Sequence, residues 1–315
     1  MKNIQEFENF YEQDLKADLE KLEAKRKKIF SRGLRIFLSI IGLILLVLVL
    51  GYAEAIVIFG IIFIGIIAMA IATVPIFNKL KKSFKNDIVR KLIHFIDSTL
   101  QYDPARSIPK NDFINSKLFS TYPNKYKGDD LVWGKIDKTA IRFSEVFAQQ
   151  KRTDSKGRTT YSTIFKGLFL IADFNKNFEG ETFVMPNSSM GIFSGLSRLS
   201  QSISRPSSVK MEDVEFNKAF NVYASVRTEA FYLLTPSMMQ YIKDFREQNP
   251  RRPFSISFTN ASINIAISMS KDLFEPSLFS SLVNIDHIKE YYEDLYLAIS
   301  VVEEFNLNTR IWTKV

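Results

Sequence analysis

The sequence predicts an α+β membrane protein, and three features along its 315 residues support that prediction. Residues 3–30 lack Gly and Pro and are rich in Glu, Lys, Leu and Ala, which favour helix. Residues 34–77 are almost wholly apolar. From about Ser107 onward, short runs of β-branched and aromatic residues alternate with turns, which is typical of strands.

These features predict four segments in order. The first is an N-terminal amphipathic, coiled-coil helix at residues 1–33, and the second a two-helix transmembrane hairpin at residues 34–77. A basic amphipathic stalk helix follows at residues 78–106. The last segment, residues 107–315, is a cytoplasmic α+β domain with an antiparallel sheet.

Between Arg35 and Lys79 the sequence contains a single charge, Glu54. On either side of it, Ile36–Ala53 and Ala55–Phe77 are long enough to cross about 30 Å of hydrocarbon as helices. Gly51 permits a tight turn, and Glu54 can lie in water beyond the lipid. We therefore interpret Gly51 and Glu54 as the tip of a hairpin; the alternative is a pair of buried helices in a soluble protein.

The net charge of +8 is concentrated beside the apolar stretch. Twelve of the 42 basic residues flank it, and the other 30 are outnumbered by 32 acidic residues elsewhere in the chain. This distribution argues against a nucleic-acid partner and, by the positive-inside rule, predicts that both termini lie in the cytoplasm. The residues expected to contact anionic lipid headgroups are Lys25, Arg26, Lys27, Lys28, Arg32, Arg35, Lys79, Lys81, Lys82 and Lys85.

Each helix beside the membrane carries one apolar stripe at spacings of three and four. The first stripe comprises Ile4, Phe7, Tyr11, Leu15, Leu19, Leu22, Arg26 and Ile29. The second comprises Leu80, Phe84, Ile88, Leu92, Phe95 or Ile96, and Leu100. We expect the two helices to pair antiparallel as a stalk, with each helix packing on the globular domain as the alternative. A stripe of this length can also pair between chains, which predicts a homo-oligomer.

Strands are expected in the globular domain in two blocks. The first contains hairpins with turns at Asp137–Lys138 and in "KRTDSKGR", followed by the strands "TTYSTIF", "KGLFLIADF" and "ETFVMP". The second contains strands near 220–225 and 229–234, then a helix capped by Thr235 and a hairpin turning at Asn260. The final helix is expected to begin with Asp286 as its N-cap.

The segment "NSSMGIFSGLSRLSQSISRPSS" contains nine serines and no acidic residue. Serine-rich helices with one bulky apolar face are typical of lipid-packing sensors, so residues 187–210 are a candidate for membrane docking. The alternatives are a flexible linker and a helix folded onto the domain. The apolar side chains that would dock are Ile192, Phe193, Leu196, Leu199 and Ile203.

Catalytic and cofactor-binding patterns are scarce. The chain has no cysteine, and its two histidines, His94 and His287, have no partner at metal-binding spacing. Phosphate-binding glycine loops and nucleophile elbows are absent from the sequence. Asp173 is interpreted as a turn-entry residue. We therefore expect no enzyme activity, no cofactor and no metal.

Four segments resemble an uncharacterised bacterial family of two-span membrane proteins. They are "TIFKGLFLIADFNKNFEGETFVMP", "VEFNKAFNVYAS", "FYLLTPSMM" and "LNTRIW". Genes of that family often neighbour genes for LemA-type membrane proteins, so the resemblance implies an envelope role and a possible LemA-type partner. It supplies no catalytic residue.

Two functions are expected from these observations. The first is a non-enzymatic inner-membrane scaffold or sensor that presents its cytoplasmic domain and self-associates. The alternative is a membrane-anchored module that binds lipid headgroups or a small ligand on the cytoplasmic side.

Overall fold

The computed structural model describes residues 4–51, 54–174, 178–187 and 206–305. Its fold is α+β, with two long apolar helices near the N-terminus and an antiparallel sheet in the remainder. The chain divides into two compact units. The helical unit comprises Met1–Ile96 and Phe274–Tyr292, and the sheet unit comprises Asp97–Leu273 and Glu293–Val315. The segment 274–292 is thus part of the helical unit despite its position late in the chain.

Two long helices form most of the helical unit. Helix α1 combines Ile4–Phe10, a π-helical turn at Tyr11–Leu15, and Lys16–Val49. Helix α2 combines Ala55–Phe84, a π-helical turn at Lys85–Val89, and Arg90–Ile96. Both are long and apolar enough to cross a membrane.

The two helices run side by side along their apolar parts. A Cβ atom added to Gly65 of α2 would lie 2.4 Å from the Cδ1 atom of Ile40 in α1. The glycine therefore permits a close approach that a larger residue would prevent. Gly51, with a φ of 84°, lies two residues after the end of α1, and Glu54 precedes α2 in an extended conformation. The described ends of the turn agree with a helical hairpin.

Most of the described residues of the two apolar stripes are buried within the chain. Leu15 and Leu19 of α1, and Phe84, Ile88 and Leu92 of α2, have no exposed surface. The helices contact each other directly, with Phe10 stacked on Phe95 at 4.1 Å and Lys91 paired to Asp18 at 2.8 Å. Because the stripes are covered by intrachain packing, they are not available as a coiled-coil surface between chains.

The sheet unit contains nine described strands. In chain order they are β1 Gln101–Asp103, β2 Lys125–Ile136, β3 Thr139–Thr153, β4 Thr159–Asp173, β5 Thr182–Pro186, β6 Ser207–Val209, β7 Phe220–Ala224, β8 Phe254–Thr259 and β9 Ser262–Ser268. All described pairings are antiparallel, and the spatial order is β1-β2-β3-β4-β9-β8-β5-β7-β6.

Five further helices complete the described chain. They are α3 Lys110–Asn115, α4 Val214–Ala219, α5 Arg227–Leu233, α6 Pro236–Gln248 and α7 Ile285–Glu304. The Thr235 side chain caps α6 by accepting from the Met238 N–H at 3.2 Å, as expected. The predicted hairpin turns at Asp137 and Asn260 are also confirmed, since both residues have the positive φ that such tight turns require.

One face of the sheet, which we call the apolar face, carries an unbroken row of buried residues across all nine strands. From edge to edge, the directly paired residues are Tyr102, Val132, Phe143, Leu170, Ile265, Ile256, Val184, Val222 and Val209. Helix α6 covers this face through Phe245, whose ring lies 5.0 Å from that of Phe254.

The opposite face, which we call the mixed face, alternates with the first along every strand. Its corresponding row includes Trp133, Arg142, Ile171, Asn264 and Ser257. Helix α3 covers the middle of this face through Phe113, which packs 5.1 Å from Phe169 within a buried cluster. At the end of the mixed face beside the β2–β3 and β8–β9 turns, Ile171 is the last residue of that cluster on β4, and Trp133 packs against it.

Two local predictions are wrong. Residues 229–234 were expected to be a strand, but residues 229–233 belong to α5 and Leu234 is its C-cap. There Ala230 and Leu233 are buried at helical spacing, and the Glu229 carboxylate accepts the N–H groups of Glu179 and Gly180 at 2.9 Å each. The expected N-cap Asp286 lies inside α7, and the Asn284 side chain accepts its N–H at 2.9 Å instead.

Candidate functional site

The helical unit contains a segment held by charged side chains, residues 274–284, which we call the strap. Glu275 of the strap pairs with two lysines of α2: Lys81 Nζ lies 2.5 Å from its Oε2 atom and Lys85 Nζ lies 3.2 Å from Oε1. The Tyr291 hydroxyl donates to the Glu275 carbonyl at 2.7 Å. The Glu275 side chain and backbone are therefore both fixed.

A second group of contacts comes from α1. The Glu23 carboxylate accepts the Leu282 N–H at 3.0 Å, and Arg26 donates to the Leu278 carbonyl at 2.6 Å. Glu23 and Arg26 also pair with each other at 2.7 Å. The hydrogen bond from Arg26 lowers the pKa of Glu23, against the opposing effect of burial. Strap and helix are thus joined by a charged, hydrogen-bonded network.

Each π-helical turn begins with a residue that contacts the strap. Tyr11 opens the turn in α1, and its hydroxyl donates to the Val283 carbonyl at 2.6 Å. Lys85 opens the turn in α2 and is only 5% exposed. A π-helical turn inserts a residue and reorients the side chains around it, and such turns are frequent at functional sites. Here both serve to hold the same segment.

These contacts correct part of the predicted headgroup set. Lys85 is buried against Glu275, and Arg26 is largely covered by Glu23 and the strap, so neither is placed to contact lipid. Lys81 is partly exposed and paired with Glu275. The predicted members that are exposed are Lys25, Lys27, Lys28, Arg32, Arg35, Lys79 and Lys82.

The sheet unit contains an open groove of about 1100 Å³ at the end of the mixed face. Its floor includes Ala140 and Ile171, and Trp133 lies along it half-buried. Both signs of charge line the walls. Lys135 and Arg142 supply the positive charges, and Asp97, Asp137 and Asp173 supply the negative ones.

Three carboxylates meet on β2 and β3. Side-chain oxygens of Asp129, Asp130 and Glu145 lie within 4.8 Å of one another, a donor set that could hold a hard divalent cation. Asp130 has a φ of 58° beside an irregularity in β2, and it accepts a hydrogen bond from the Tyr102 hydroxyl. Sequence reasoning, which expected no metal site, did not identify this group.

Asp130 and Glu145 are both buried members of this group, and the pKa of Glu145 is shifted. Burial raises the pKa of Glu145 to about 8; the hydrogen bond from the Leu273 N–H opposes this, and the nearby charges of Asp129, Asp272 and Asp130 add to it. One signal in the sequence could have found it. Glu145 occupies an inward position of "IRFSEVF", after Ile141 and Phe143 on the apolar face.

The remaining sequence predictions fall outside the described residues or apart from these sites. The candidate docking side chains Ile192, Phe193, Leu196, Leu199 and Ile203 lie outside the described part of the chain. His94 is exposed on α2, and His287 lies in the first turn of α7. Asp173 ends β4, as expected for a residue entering a turn, and its carboxylate also lines the groove.

Comparison with known proteins finds a match to an uncharacterised family over part of the chain. Residues 163–307 match the family described as a protein of unknown function (DUF3137). No curated protein matches the chain. A solved structure, that of the mycobacterial trehalose monomycolate transport factor A, TtfA, is similar over 69% of this chain and 94% of its own, at 6% identity and a TM-score of 0.34. A similarity at that score carries no argument about function.

Proposed function

We propose that the protein is a non-enzymatic scaffold or sensor anchored in the bacterial inner membrane, with both termini and the sheet unit in the cytoplasm. The observation that carries the proposal is the continuity of α1 and α2. Each helix includes an exposed apolar part long enough to span a bilayer, and each continues without a break into the part that holds the strap.

The charge pattern supports this orientation. Seven predicted headgroup residues stay exposed beside the apolar parts of the two helices: Lys25, Lys27, Lys28, Arg32, Arg35, Lys79 and Lys82. Basic residues at the ends of membrane spans favour the cytoplasmic side. Glu54, at the opposite end of the hairpin, is exposed and is the only charge between Arg35 and Lys79.

The strap supports the sensor part of the proposal. Its contacts are made with the cytoplasmic parts of the same helices that contain the apolar spans. The strap begins at Phe274, directly after Leu273, the last residue of this part of the sheet unit. The strap is therefore one covalent route by which a change in the helices reaches the sheet. A scaffold would need only the anchor; a sensor also needs a connection of this kind.

Self-association and a LemA-type partner stay predictions. Since both apolar stripes are buried within one chain, association between copies requires another surface. Crosslinking in native membranes followed by affinity purification tests both points. Recovery of a homo-oligomer or of a LemA-type protein supports the scaffold, and recovery of the monomer alone contradicts the oligomeric part of the proposal.

Anchoring itself is tested by alkaline carbonate extraction of membranes from cells that produce the full chain. An integral protein stays in the membrane pellet, which is the expected result. A known peripheral protein serves as the control and should be released into the supernatant. Release of this protein into the same fraction would contradict anchoring by the two helices.

A second candidate function is favoured by the groove on the mixed face. Clefts that combine an aromatic surface with a few convergent polar groups are the usual form of small-ligand sites. The groove has this composition, with Trp133 on its floor and five charged residues along its walls. A ligand-binding module on the same membrane anchor accounts for it.

A further inference from the structure

We infer that the groove on the mixed face binds a small amphoteric molecule, one that carries an ammonium group together with a phosphate or carboxylate. This inference rests on the second candidate function and names the class of ligand. It is independent of how the chain is anchored.

The strand register places opposite charges on either side of a small floor residue. Lys135 of β2 is directly paired with Ala140 of β3. The β3–β4 pairing of Ile141 with Ala172 places Asp173 beside Ala140 on the far strand. Neighbouring strands lie about 4.8 Å apart, so the backbones of Lys135 and Asp173 are separated by about 10 Å. A molecule of a few heavy atoms can lie over Ala140 between them.

The next row of the sheet supplies a second cation and the aromatic surface. Trp133, Arg142 and Ile171 are directly paired across β2, β3 and β4. The Arg142 Nη1 atom lies 2.8 Å from the Oδ2 atom of Asp112, and this ion pair fixes the guanidinium beside the groove. A guanidinium has five N–H donors, so this ion pair leaves donors for an anionic group. Lys135 and Arg142 together therefore form the subsite that binds the anionic group of the ligand.

Carboxylates provide the complementary subsite. Asp173 and Asp137 line the groove at the ends of β4 and β2, and a carboxylate accepts several hydrogen bonds at once. An ammonium group donates three. A purely anionic ligand would be repelled by the three aspartates, and a purely cationic one by Lys135 and Arg142, so only a ligand with both charges satisfies all the walls.

Two sources can supply this chemistry: a free metabolite, or the headgroup of a zwitterionic lipid. The shared requirement is a phosphate or carboxylate joined by a short linker to an ammonium group. The experiment below separates the two sources by presenting the chemistry both in solution and in a bilayer.

Trp133 is a natural reporter for the test. The chain has two tryptophans, so Trp312→Phe leaves Trp133 as the only one. The full chain carrying this substitution is purified in a non-ionic detergent and titrated with phosphoethanolamine and with 4-aminobutyrate. Inorganic phosphate and ethanolamine, which each carry one of the two charges, serve as controls. We expect a saturable change in Trp133 emission with at least one amphoteric probe, at concentrations roughly tenfold below those needed for either control.

Variants assign the effect to the groove. Lys135→Gln and Asp173→Asn should each weaken binding by roughly tenfold or more, as expected for the loss of a charged hydrogen bond. Lys138→Gln makes the same charge change as Lys135→Gln, at an exposed turn residue that does not line the groove, and should leave binding unchanged. Thermal unfolding of each variant verifies that it folds. If one of the two groove variants does not fold, the other is compared with Lys138→Gln.

The source is read from the same signal in nanodiscs. If discs of phosphatidylethanolamine change Trp133 emission relative to phosphatidylglycerol discs and block the soluble probes, the ligand is a lipid headgroup. If emission is equal in both discs and the soluble probes still bind, the ligand is a free molecule. The inference is overturned if neither probe binds, if phosphate or ethanolamine alone binds as well, or if Lys138→Gln weakens binding as much as the groove variants. Any of these results leaves membrane anchoring, which carbonate extraction tests separately, untouched.

Discussion

The Glu145 carboxylate accepts the backbone N–H of Leu273 at 2.6 Å, where the chain leaves the sheet unit for the strap. Glu145 is 8% exposed and lies beside Asp129 and Asp130. Burial is the largest of the influences that raise its pKa from 4.5 to about 8. A carboxyl at this position is therefore protonated in the folded protein at pH values where the unfolded chain has released the proton.

The first prediction concerns the pH dependence of stability. Because the folded-state pKa of Glu145 is raised, its contribution to the free energy of unfolding is full below about pH 4.5 and is lost as pH rises through about 8. Glu145→Gln keeps an acceptor for Leu273 and removes the ionisation. Thermal unfolding of the full chain in detergent measures the difference. At pH 8 to 9 the variant should be more stable than the wild type, by a few kcal/mol at most, as the size of the pKa shift implies. Near pH 5 the two proteins should have similar stability.

Glu247→Gln is the matched control, because Glu247 is exposed on α6. It should leave the pH dependence of the wild type unchanged. Equal pH dependence in the wild type and Glu145→Gln would show that folding does not raise the pKa of Glu145, contrary to this account.

The second prediction concerns the hold on the strap. Glu23 is 6% exposed, and Arg26→Gln removes the closer of its two ion-pair partners, the one that is itself largely buried. Breaking a buried pair in this way costs about 3 kcal/mol. The Leu282 N–H donates a hydrogen bond to the Glu23 carboxylate, and its hydrogen exchange should become faster in the variant. Lys27→Gln, at an exposed lysine 3.9 Å from Glu23, should leave that exchange rate close to the wild-type value, and equal acceleration in both variants would argue against a specific role for Arg26.

The third prediction concerns the β8–β9 turn. Asn260 and Ala261 both have positive φ, at 51° and 61°, in a two-residue turn where Asn-Gly is the preferred sequence. Ala261→Gly should raise the free energy of unfolding by about 0.5–1 kcal/mol, because the strain of Ala at positive φ exceeds the entropic cost of glycine. Ala140→Gly, at a position in regular strand, should instead lower it. Denaturant unfolding measures both, and a loss of stability in Ala261→Gly would contradict the turn geometry.

Sequence reasoning succeeded where the signal was local. The cap at Thr235, the turns at Asp137 and Asn260, and the two apolar stripes each depend on residues within a few positions of one another. It failed at residues 229–234, where Phe and Tyr favour strand but burial of Ala230 and Leu233 selects a helix.

The strap could not be predicted from sequence. Its contacts join residues as far apart as Tyr11 and Val283, and no local pattern marks Glu275 or Leu278 as partners of the N-terminal helices. The groove could not be predicted from local sequence either, because the register of three strands is what brings Lys135, Arg142 and Asp173 together. Glu145 is the exception, because a charge at an inward strand position can be recognised before the fold is known.

The central claim, a two-span anchor with both ends in the cytoplasm, is tested most directly by cysteine accessibility. The chain has no cysteine, so Glu54→Cys and Lys156→Cys each introduce a single thiol, at the hairpin tip and at the exposed β3–β4 turn. A membrane-impermeant maleimide is applied to cells whose outer envelope admits it but whose inner membrane is intact. The account predicts that Glu54→Cys is labelled in intact cells and that Lys156→Cys is labelled only after lysis. Labelling of Lys156→Cys in intact cells would place the sheet unit outside and contradict the proposal.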